Sequence, residues 1–330
     1  MKLAIIGSTG NVGRKIIEVL EKSNIQIDDL FLIASKKSSG KKIKFRKKEI
    51  EIENLENYSF SKAQITIFAA GSKIAKDWAT KAAKETIVID NSSFFRMQKN
   101  IPLVVPEVNQ DALDKHENLI ANPNCSTIQM VLVLKPLHDE YKIKRVVVST
   151  YQAVSGAGKE AMDELFDQTK NFLEKKNIVP KNFTKQIAFN LIPHIDVFDK
   201  DGYTKEELKM MNETKKILDE KIEVTATCVR VPVRTGHSES INIEFENSYD
   251  LENIIKLLDN SPGCKVIDGR KDGEYITPFE AENDYTTYIS RIRKDNTNSK
   301  AINIWVVSDN LLKGAALNTV QIAECLMKKM

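Results

Sequence analysis

The chain has 330 residues, more than a single hydrophobic core usually serves, so two domains are expected. With 42% hydrophobic and 29% charged residues it has an ordinary globular composition, and a formal net charge of +3 gives no footing for a nucleic-acid-binding protein. Its four cysteines (Cys125, Cys228, Cys264, Cys325) form no CxxC pair, which excludes a disulfide framework and fits a reducing cytoplasm; its four histidines form no closely spaced pair, so no metal site is expected.

The first apolar run, Leu3–Ile6, is too short for a signal peptide and ends in glycine, so it reads as a strand; no later run reaches transmembrane length. A soluble, cytoplasmic protein is expected. Directly after the strand come Gly7, Thr9, Gly10, Asn11, Val12 and Gly13, followed by Ile16, Ile17, Val19 and Leu20 at helical spacing. Strand, glycine loop and helix is the context in which backbone can approach a pyrophosphate at a helix N-terminus. The spacing is GxxGxxG rather than GxGxxG, so the loop alone is a weak signal.

Leu30–Ala34 predicts a second strand, ending in Ser35, Lys37, Ser38 and Ser39. An NAD-preferring fold places an acid about 20 residues past the glycine loop; hydroxyls and ammonium groups stand there instead and suit a 2′-phosphate, which favours NADP. The basic stretch 36–48 also reads as a solvated face, and both readings can hold together. Strands follow at Ile65–Ala69, Thr86–Asp90, Pro102–Val108 and Asn118–Asn122, with a helix from Gly71 that carries Trp78. This alternation predicts an α/β fold, a Rossmann-like, doubly wound, mostly parallel sheet with its sites beyond the carboxyl ends of the strands. The loops holding Gly10, Ser38, Arg96 and Cys125 would then gather along one edge.

Cys125 follows the turn Asn122-Pro123-Asn124, and Ser126–Leu134 reads as an apolar helix. A cysteine in a helix's first turn faces unsatisfied N–H groups and the positive end of the dipole, both of which favour the thiolate. The same N–H groups could hold an oxyanion formed when that thiolate attacks a carbonyl. The competing reading is a small apolar core residue.

Beyond about residue 140 the pattern becomes that of an α+β domain. Arg145–Val154, Val224–Val233, Ser240–Phe245, Thr286–Arg293 and Ala301–Val307 read as strands. Ser155 and Gly156 open a helix, and Thr204–Lys221 reads as a helix begun by a capping box of Thr204 with Glu207. From Asp309 the chain runs through Asn318 into a final helix that returns to the first domain. Arg230 and His237 flank a turn: an arginine can grip a carboxylate bidentately and a histidine can exchange protons near neutral pH. Taken singly, each could equally be a structural side chain, as could Gln152 at a strand end or Glu213 and Lys216 three apart on a helix.

The sequence resembles aspartate-semialdehyde dehydrogenase, of the bacterial branch carrying NPNCSTIQ (122–129). The resemblance runs through GSTGNVG (7–13), ASKKSSG (34–40), NSSFFRM (91–97), VPEVN (105–109) and STYQAVSGAG (149–158). It continues through NETKKI (212–217), CVRVPVRTGHSE (228–239) and GAALNTVQ (314–321), nearly the whole chain. It implies NADPH-dependent reductive dephosphorylation of L-aspartyl 4-phosphate to L-aspartate 4-semialdehyde. That step serves the biosynthesis of lysine and diaminopimelate, threonine, methionine and isoleucine. By this resemblance Cys125 is the nucleophile that forms an acyl-thioester, His237 transfers the proton, and Gln152 orients the substrate. Arg230, Glu213 and Asn124 bind the substrate, Arg96 and Lys216 hold phosphate, and Gly7, Thr9, Gly10, Asn11, Val12, Gly13, Ser35, Lys37, Ser38, Ser39, Ser155, Gly156 and Asn318 contact NADP(H). Residues 1–125 with 309–330 would bind NADP, and 126–308 would form a catalytic and dimerisation domain of a homodimer or dimer of dimers. Two departures stand out: Ser8 replaces a common alanine, and Lys37 stands where an arginine often forks around the 2′-phosphate.

Three rivals are a reductase for another acyl phosphate such as N-acetylglutamyl phosphate, a non-catalytic NADP-binding sensor, and a nucleic-acid binder using the 36–48 lysines. Glu213, for which an acylated amine has no need, separates the first. The joint presence of Cys125, Arg230 and His237 opposes the second, and the balanced charge opposes the third.

Overall fold

The structure, a computed structural model, describes residues 1–329 and divides into two compact units. One comprises Met1–Pro123 with Ala315–Met330, the other Asn124–Gly314.

The first unit is a seven-stranded sheet. In chain order it contains β1 (Lys2–Ile6), α1 (Asn11–Lys22), β2 (Asp29–Ala34), β3 (Lys42–Phe45), β4 (Lys48–Asn54), β5 (Ile65–Phe68), α2 (Gly71–Ala82), β6 (Ile87–Asp90), α3 (Pro106–Asn109) and β7 (Leu119–Ala121). The strand order is β3-β4-β2-β1-β5-β6-β7, parallel throughout except for the antiparallel β3–β4 pair. β1, β5 and β7 are buried along almost their whole length because helices cover a parallel sheet on both faces. The turn after β1 is tight. Gly7 N–H donates to Ile33 O at 2.8 Å, and a Cβ at Gly13 would lie 2.2 Å from Gly7 O, so only glycine lets α1 pack this close to the strand.

Two features of this unit differ from the sequence reading. The basic stretch 36–48 is not merely a solvated face: Lys42–Phe45 pairs with Lys48–Asn54 as a hairpin that extends the sheet. The charges on its exposed face mask the alternation of Ile43, Phe45, Ile50 and Ile52. Conversely, Pro102–Val108 is not a strand. It makes one bridge to β7 through Leu103 and then turns into α3, whose first residue is Pro106. Proline suits that position because its missing N–H would be unpaired there anyway. Asn109 holds the turn locally, accepting from Val105 N at 2.9 Å and donating to Leu103 O at 2.9 Å.

The second unit contains α4 (Cys125–Tyr141), β8 (Ile143–Gln152), α5 (Lys159–Leu173), α6 (Lys205–Ile217), β9 (Glu223–Arg230), β10 (His237–Phe245), α7 (Leu251–Asp259), β11 (Cys264–Val266), α8 (Pro278–Ala281), β12 (Thr287–Lys294) and β13 (Ala301–Ser308). Its mixed sheet has the order β11-β12-β13-β10-β8-β9. α4 is apolar on nearly every side and runs through Pro136; Met130, Val133, Leu134 and Leu137 meet Val146, Val148, Ile241, Ile243, Ile302 and Ile304 from the sheet. α6 begins with the expected Thr204–Glu207 capping box but stops at Ile217. β9 stops at Arg230, ahead of Pro232, and β10 begins at His237 rather than Ser240. The final helix, α9 (Leu317–Met327), lies in the first unit after a π-helical turn at Leu312–Ala316.

Candidate active site

In the second unit the site starts at Cys125, the first residue of α4 and a partly exposed cysteine outside any disulfide. Asn124 caps the helix: its Oδ1 accepts from Ser126 N at 3.0 Å and Thr127 N at 3.2 Å. This bears on one expectation: those two N–H groups are occupied and do not await an oxyanion. Asn124 also donates through Nδ2 to Glu206 Oε1 at 2.8 Å, so its amide is tied to α6 as well as capping α4. Gly314 packs closely on Cys125, since a Cβ there would meet Cys125 Cβ at 2.7 Å.

α6 supplies two carboxylates that lie two turns apart and therefore on one face. Glu213 Oε2 accepts from Asn124 N at 2.6 Å, so the acid expected to meet a substrate ammonium also anchors the residue before Cys125. Glu206, which sequence reasoning passed over, is buried and ties three groups together. Its Oε1 accepts from Asn124 Nδ2 and, at 3.0 Å, from Gln152 Nε2, while its Oε2 accepts from Lys209 Nζ at 3.0 Å. Burial alone would raise its pKa; the Lys209 charge and the hydrogen bonds from Gln152, Asn124 and Lys209 overcome that and hold it at about 2. The only sequence signal for Glu206 was its place in the first turn of a capped helix. Lys216, further along α6, is half-buried; burial lowers its pKa while Glu213 raises it.

Three neighbouring strands bring side chains to one end of the mixed sheet. β8 ends at Gln152, which is in register with Arg230 at the end of the parallel β9; antiparallel β10 starts at His237, beside the Ser238–Tyr151 pair. Thr150 Oγ1 donates to Gln152 Oε1 at 3.2 Å, which with Glu206 fixes that amide. Arg230 is buried and its Nη1 donates to Ala153 O at 2.6 Å. Burial lowers its pKa, and the charges of Glu206 and Cys125 oppose that shift. His237 is fully buried; burial first, and the Arg230 charge second, push its pKa down to about 3. Its Nδ1 accepts the Ala153 N–H at 3.1 Å, so the neutral ring carries its proton on Nε2. That Nε2 is buried without a protein partner, and a Cβ at Gly156 would lie 3.1 Å from it and 3.2 Å from Arg230 Nη1. Ser155 Oγ meets Asn310 Oδ1 at 3.0 Å, and the same oxygen accepts from Gly236 N at 2.9 Å.

In the first unit the glycine loop leads into α1 with Gly10 at the N-cap and no side chain capping the first turn, an opening suited to a pyrophosphate. Ser35, Lys37 and Ser39 are exposed at the carboxyl end of β2, with Ser38 half-buried. Together these residues fit a dinucleotide. Arg96 is buried and donates from Nε to Asn122 O at 2.9 Å and from Nη2 to Asn91 O at 3.0 Å. Asn318 is also buried, its Nδ2 donating to Val104 O at 3.0 Å and Asn122 Oδ1 at 2.7 Å. Among the described residues no cluster of His, Cys, Asp or Glu could hold a metal ion, and no helix is long and apolar enough to cross a membrane.

A thiol at a helix start, a buried arginine and a neutral imidazole with a proton at Nε2 are groups that a covalent acyl-transfer site could use. Residues 2–116 match the NAD binding domain of semialdehyde dehydrogenases, and residues 134–313 match their dimerisation domain. The aspartate-semialdehyde dehydrogenase of Aquifex aeolicus is 53% identical over 99% of this chain and 98% of its own. That of Bacillus subtilis is 47% identical over 99% and 98%. The crystal structure of aspartate semialdehyde dehydrogenase II from Vibrio cholerae superposes with a TM-score of 0.97 at 44% identity, covering 99% of this chain and 98% of that one. The chain belongs to the aspartate-semialdehyde dehydrogenases, oxidoreductases that act on an aldehyde and carry an N-terminal NAD(P)-binding Rossmann-like domain followed by an α+β dimerisation domain.

Proposed function

We propose that Cys125, His237, Arg230 and Gln152 carry the reaction of this family, the reductive dephosphorylation of L-aspartyl 4-phosphate to L-aspartate 4-semialdehyde. The Cys125 thiolate attacks the acyl carbon, the carbon–oxygen bond to phosphate breaks, and a thioester forms. His237 donates its Nε2–H to the oxyanion. This role replaces the helix N–H groups of Ser126 and Thr127, which Asn124 occupies. The glycine loop before α1 would hold the dinucleotide, which when bound would supply the hydride for reduction of the thioester. The resulting hemithioacetal releases the aldehyde and returns the thiolate, with His237 serving the oxygen throughout. Arg230 grips the substrate α-carboxylate and Glu213 faces its ammonium, while Gln152, held by Glu206 and Thr150, orients the carbonyl. Arg96 and Lys216 bind phosphate.

The observation that carries this reading is the meeting of Arg230 Nη1 and His237 Nε2 at Gly156, with the Cys125 charge acting on the same guanidinium. The test follows reduced nicotinamide absorbance with aspartate semialdehyde, phosphate and NADP. Cys125→Ala should abolish turnover and Arg230→Leu should raise KM steeply; equal rates in the unaltered chain and Cys125→Ala would refute the assignment.

NADP is the preferred cofactor in this reading, supported by exposed Ser35, Lys37 and Ser39 and the lack of an acid among residues 35–39. Lys37→Glu should then lower kcat/KM for NADP far more than for NAD. The assembly is a homodimer, or a pair of dimers, formed through the second unit. Phe166, Phe172, Leu173, Val179, Phe189, Leu191, Val197 and Phe198 are each half exposed or more there, a density that isolated monomers rarely show. Light scattering of the full chain checks it, and a monomer at all concentrations would refute it. A thiolate nucleophile and cysteines outside any disulfide support a cytoplasmic location.

A further inference from the structure

Arg96 stands on the loop after β6, and two backbone carbonyls hold its guanidinium: Nε donates to Asn122 O at 2.9 Å and Nη2 to Asn91 O at 3.0 Å. Asn91 follows the end of β6 and Asn122 follows the end of β7, so the two acceptors come from neighbouring parallel strands of the first unit. Each asparagine is in turn held by its side chain. Asn122 Oδ1 accepts from Asn318 Nδ2 at 2.7 Å, and Asn91 Oδ1 accepts from Thr319 Oγ1 at 2.7 Å. Asn318 and Thr319 are consecutive residues in the first turn of α9, and both are fully buried.

Asn318 Nδ2 also donates to Val104 O at 3.0 Å; a backbone carbonyl can only accept, so this amide cannot be reversed, and both of its hydrogens have protein acceptors. The same reasoning holds for Asn91, whose Nδ2 donates to Phe68 O at 3.1 Å and leaves Oδ1 facing Thr319. The single hydrogen of the Thr319 hydroxyl is shared between Asn91 Oδ1 and, at 2.8 Å, Ala315 O one turn back along the chain. Backbone bonds complete the frame: Asn122 N donates to Asp90 O at 2.8 Å and Asn91 N to Phe68 O at 3.0 Å. A buried amide whose hydrogens are spent on protein acceptors is poorly placed to bind a dinucleotide, the part that the sequence resemblance implies for Asn318.

We propose that Asn318 and Thr319 are a pair of positioning residues for phosphate binding: each fixes one of the two asparagines whose carbonyls carry the Arg96 guanidinium, so the start of α9 sets the plane in which Arg96 meets the phosphate group. This rests on the phosphate-binding role given to Arg96 above. An arginine grips phosphate through a planar fork, and a fork with two of its N–H groups on fixed carbonyls is oriented before the anion arrives. Preorganisation of this kind acts on affinity for that anion and leaves the other substrates alone.

Steady-state kinetics of the full-length protein in the oxidative direction, with aspartate semialdehyde, NADP and inorganic phosphate varied in turn, test this. Asn318→Leu and Thr319→Val remove the donors with little change of volume. Each should raise KM for phosphate about five- to tenfold, the worth of one neutral hydrogen bond, with KM for the other two substrates unchanged. Thr319→Ser, which keeps the hydroxyl, should restore most of the loss. Arg96→Leu should raise KM for phosphate further, and adding Asn318→Leu or Thr319→Val to it should change nothing more, because residues that act through a common partner are not additive. A phosphate KM unmoved in either folded variant, a rise in all three constants together, or a full additional rise on Arg96→Leu overturns the proposal. So does a raised KM for NADP alone in Asn318→Leu, which would make Asn318 a dinucleotide ligand. If Asn318→Leu fails to fold, Thr319→Val with its Thr319→Ser control decides by the same constants. Failure of the Arg96 assignment would show separately, as an unchanged phosphate KM in Arg96→Leu.

Discussion

Gln152 Nε2 donates to Glu206 Oε1 at 3.0 Å, and that same oxygen accepts from Asn124 Nδ2 at 2.8 Å. One carboxylate on α6 thus fixes both the amide at the end of β8 and the cap that precedes Cys125. Removing it leaves Lys209, Asn124 and Gln152 without their common partner. Glu206→Ala should destabilise the fold by about 3–5 kcal/mol, as loss of one member of a buried ion pair does. Glu206→Gln, which keeps an acceptor, should remain folded but lose on the order of 10²-fold in kcat through misplacement of Gln152. Denaturant titration and steady-state kinetics read the two effects separately.

Acid stability should fall in two windows. Glu206 has a pKa of about 2 in the fold against a model-compound value of 4.5, so between those values the unfolded chain binds the extra proton. Its contribution is complete above pH 4.5 and disappears as pH falls towards 2. His237 is depressed from 6.5 to about 3, so the unfolded chain also takes the proton there, and stability declines from pH 6.5 downward. In unfolding free energies measured against pH, Glu206→Gln should flatten the lower window and His237→Gln the upper one.

The ring of His237 should stay neutral, with its proton on Nε2, from about pH 5 to 8, the range in which an ordinary histidine titrates. Nitrogen NMR of labelled imidazole distinguishes the two ring nitrogens. A titration midpoint near 6.5 would contradict the burial and the Arg230 charge that hold the ring neutral.

Two glycines should resist enlargement for different reasons. At Gly314 a new Cβ would stand 2.7 Å from Cys125 Cβ and 3.1 Å from its Cα, so the start of α4 must move. Gly314→Ala should therefore lower kcat by about 10²-fold with KM little changed. At Gly156 the new methyl would press on Arg230 Nη1 and His237 Nε2 at 3.2 and 3.1 Å, and Gly156→Ala should raise KM as well.

The parallel sheet of the first unit was legible because buried strands such as Leu3–Ile6 and Ile65–Phe68 are continuous apolar runs separated by helical periods. The hairpin at 42–54 was hidden by lysine and glutamate on its exposed positions, and Pro102–Val108 looked like a strand because β-branched residues surround a proline that starts a helical turn. In the site, Cys125, Arg230 and His237 could be named from residue chemistry and motif blocks. The contacts of Glu206 could not. They depend on α6 meeting a strand that lies far away in sequence, and a glutamate in a helix's first turn gives no sign of such a partner. The two occupied N–H groups at Ser126 and Thr127 were equally unreadable, since an asparagine before a helix may cap it or face a ligand.

The thioester is the most direct test. Full-length protein mixed with aspartate semialdehyde and NADP without phosphate, quenched in acid and examined by intact and peptide mass spectrometry, should carry one aspartyl adduct on the peptide containing Cys125. The adduct should disappear when phosphate is added and be absent from Cys125→Ser. Turnover without any adduct, or an adduct on Cys228, Cys264 or Cys325 instead, would contradict the assignment.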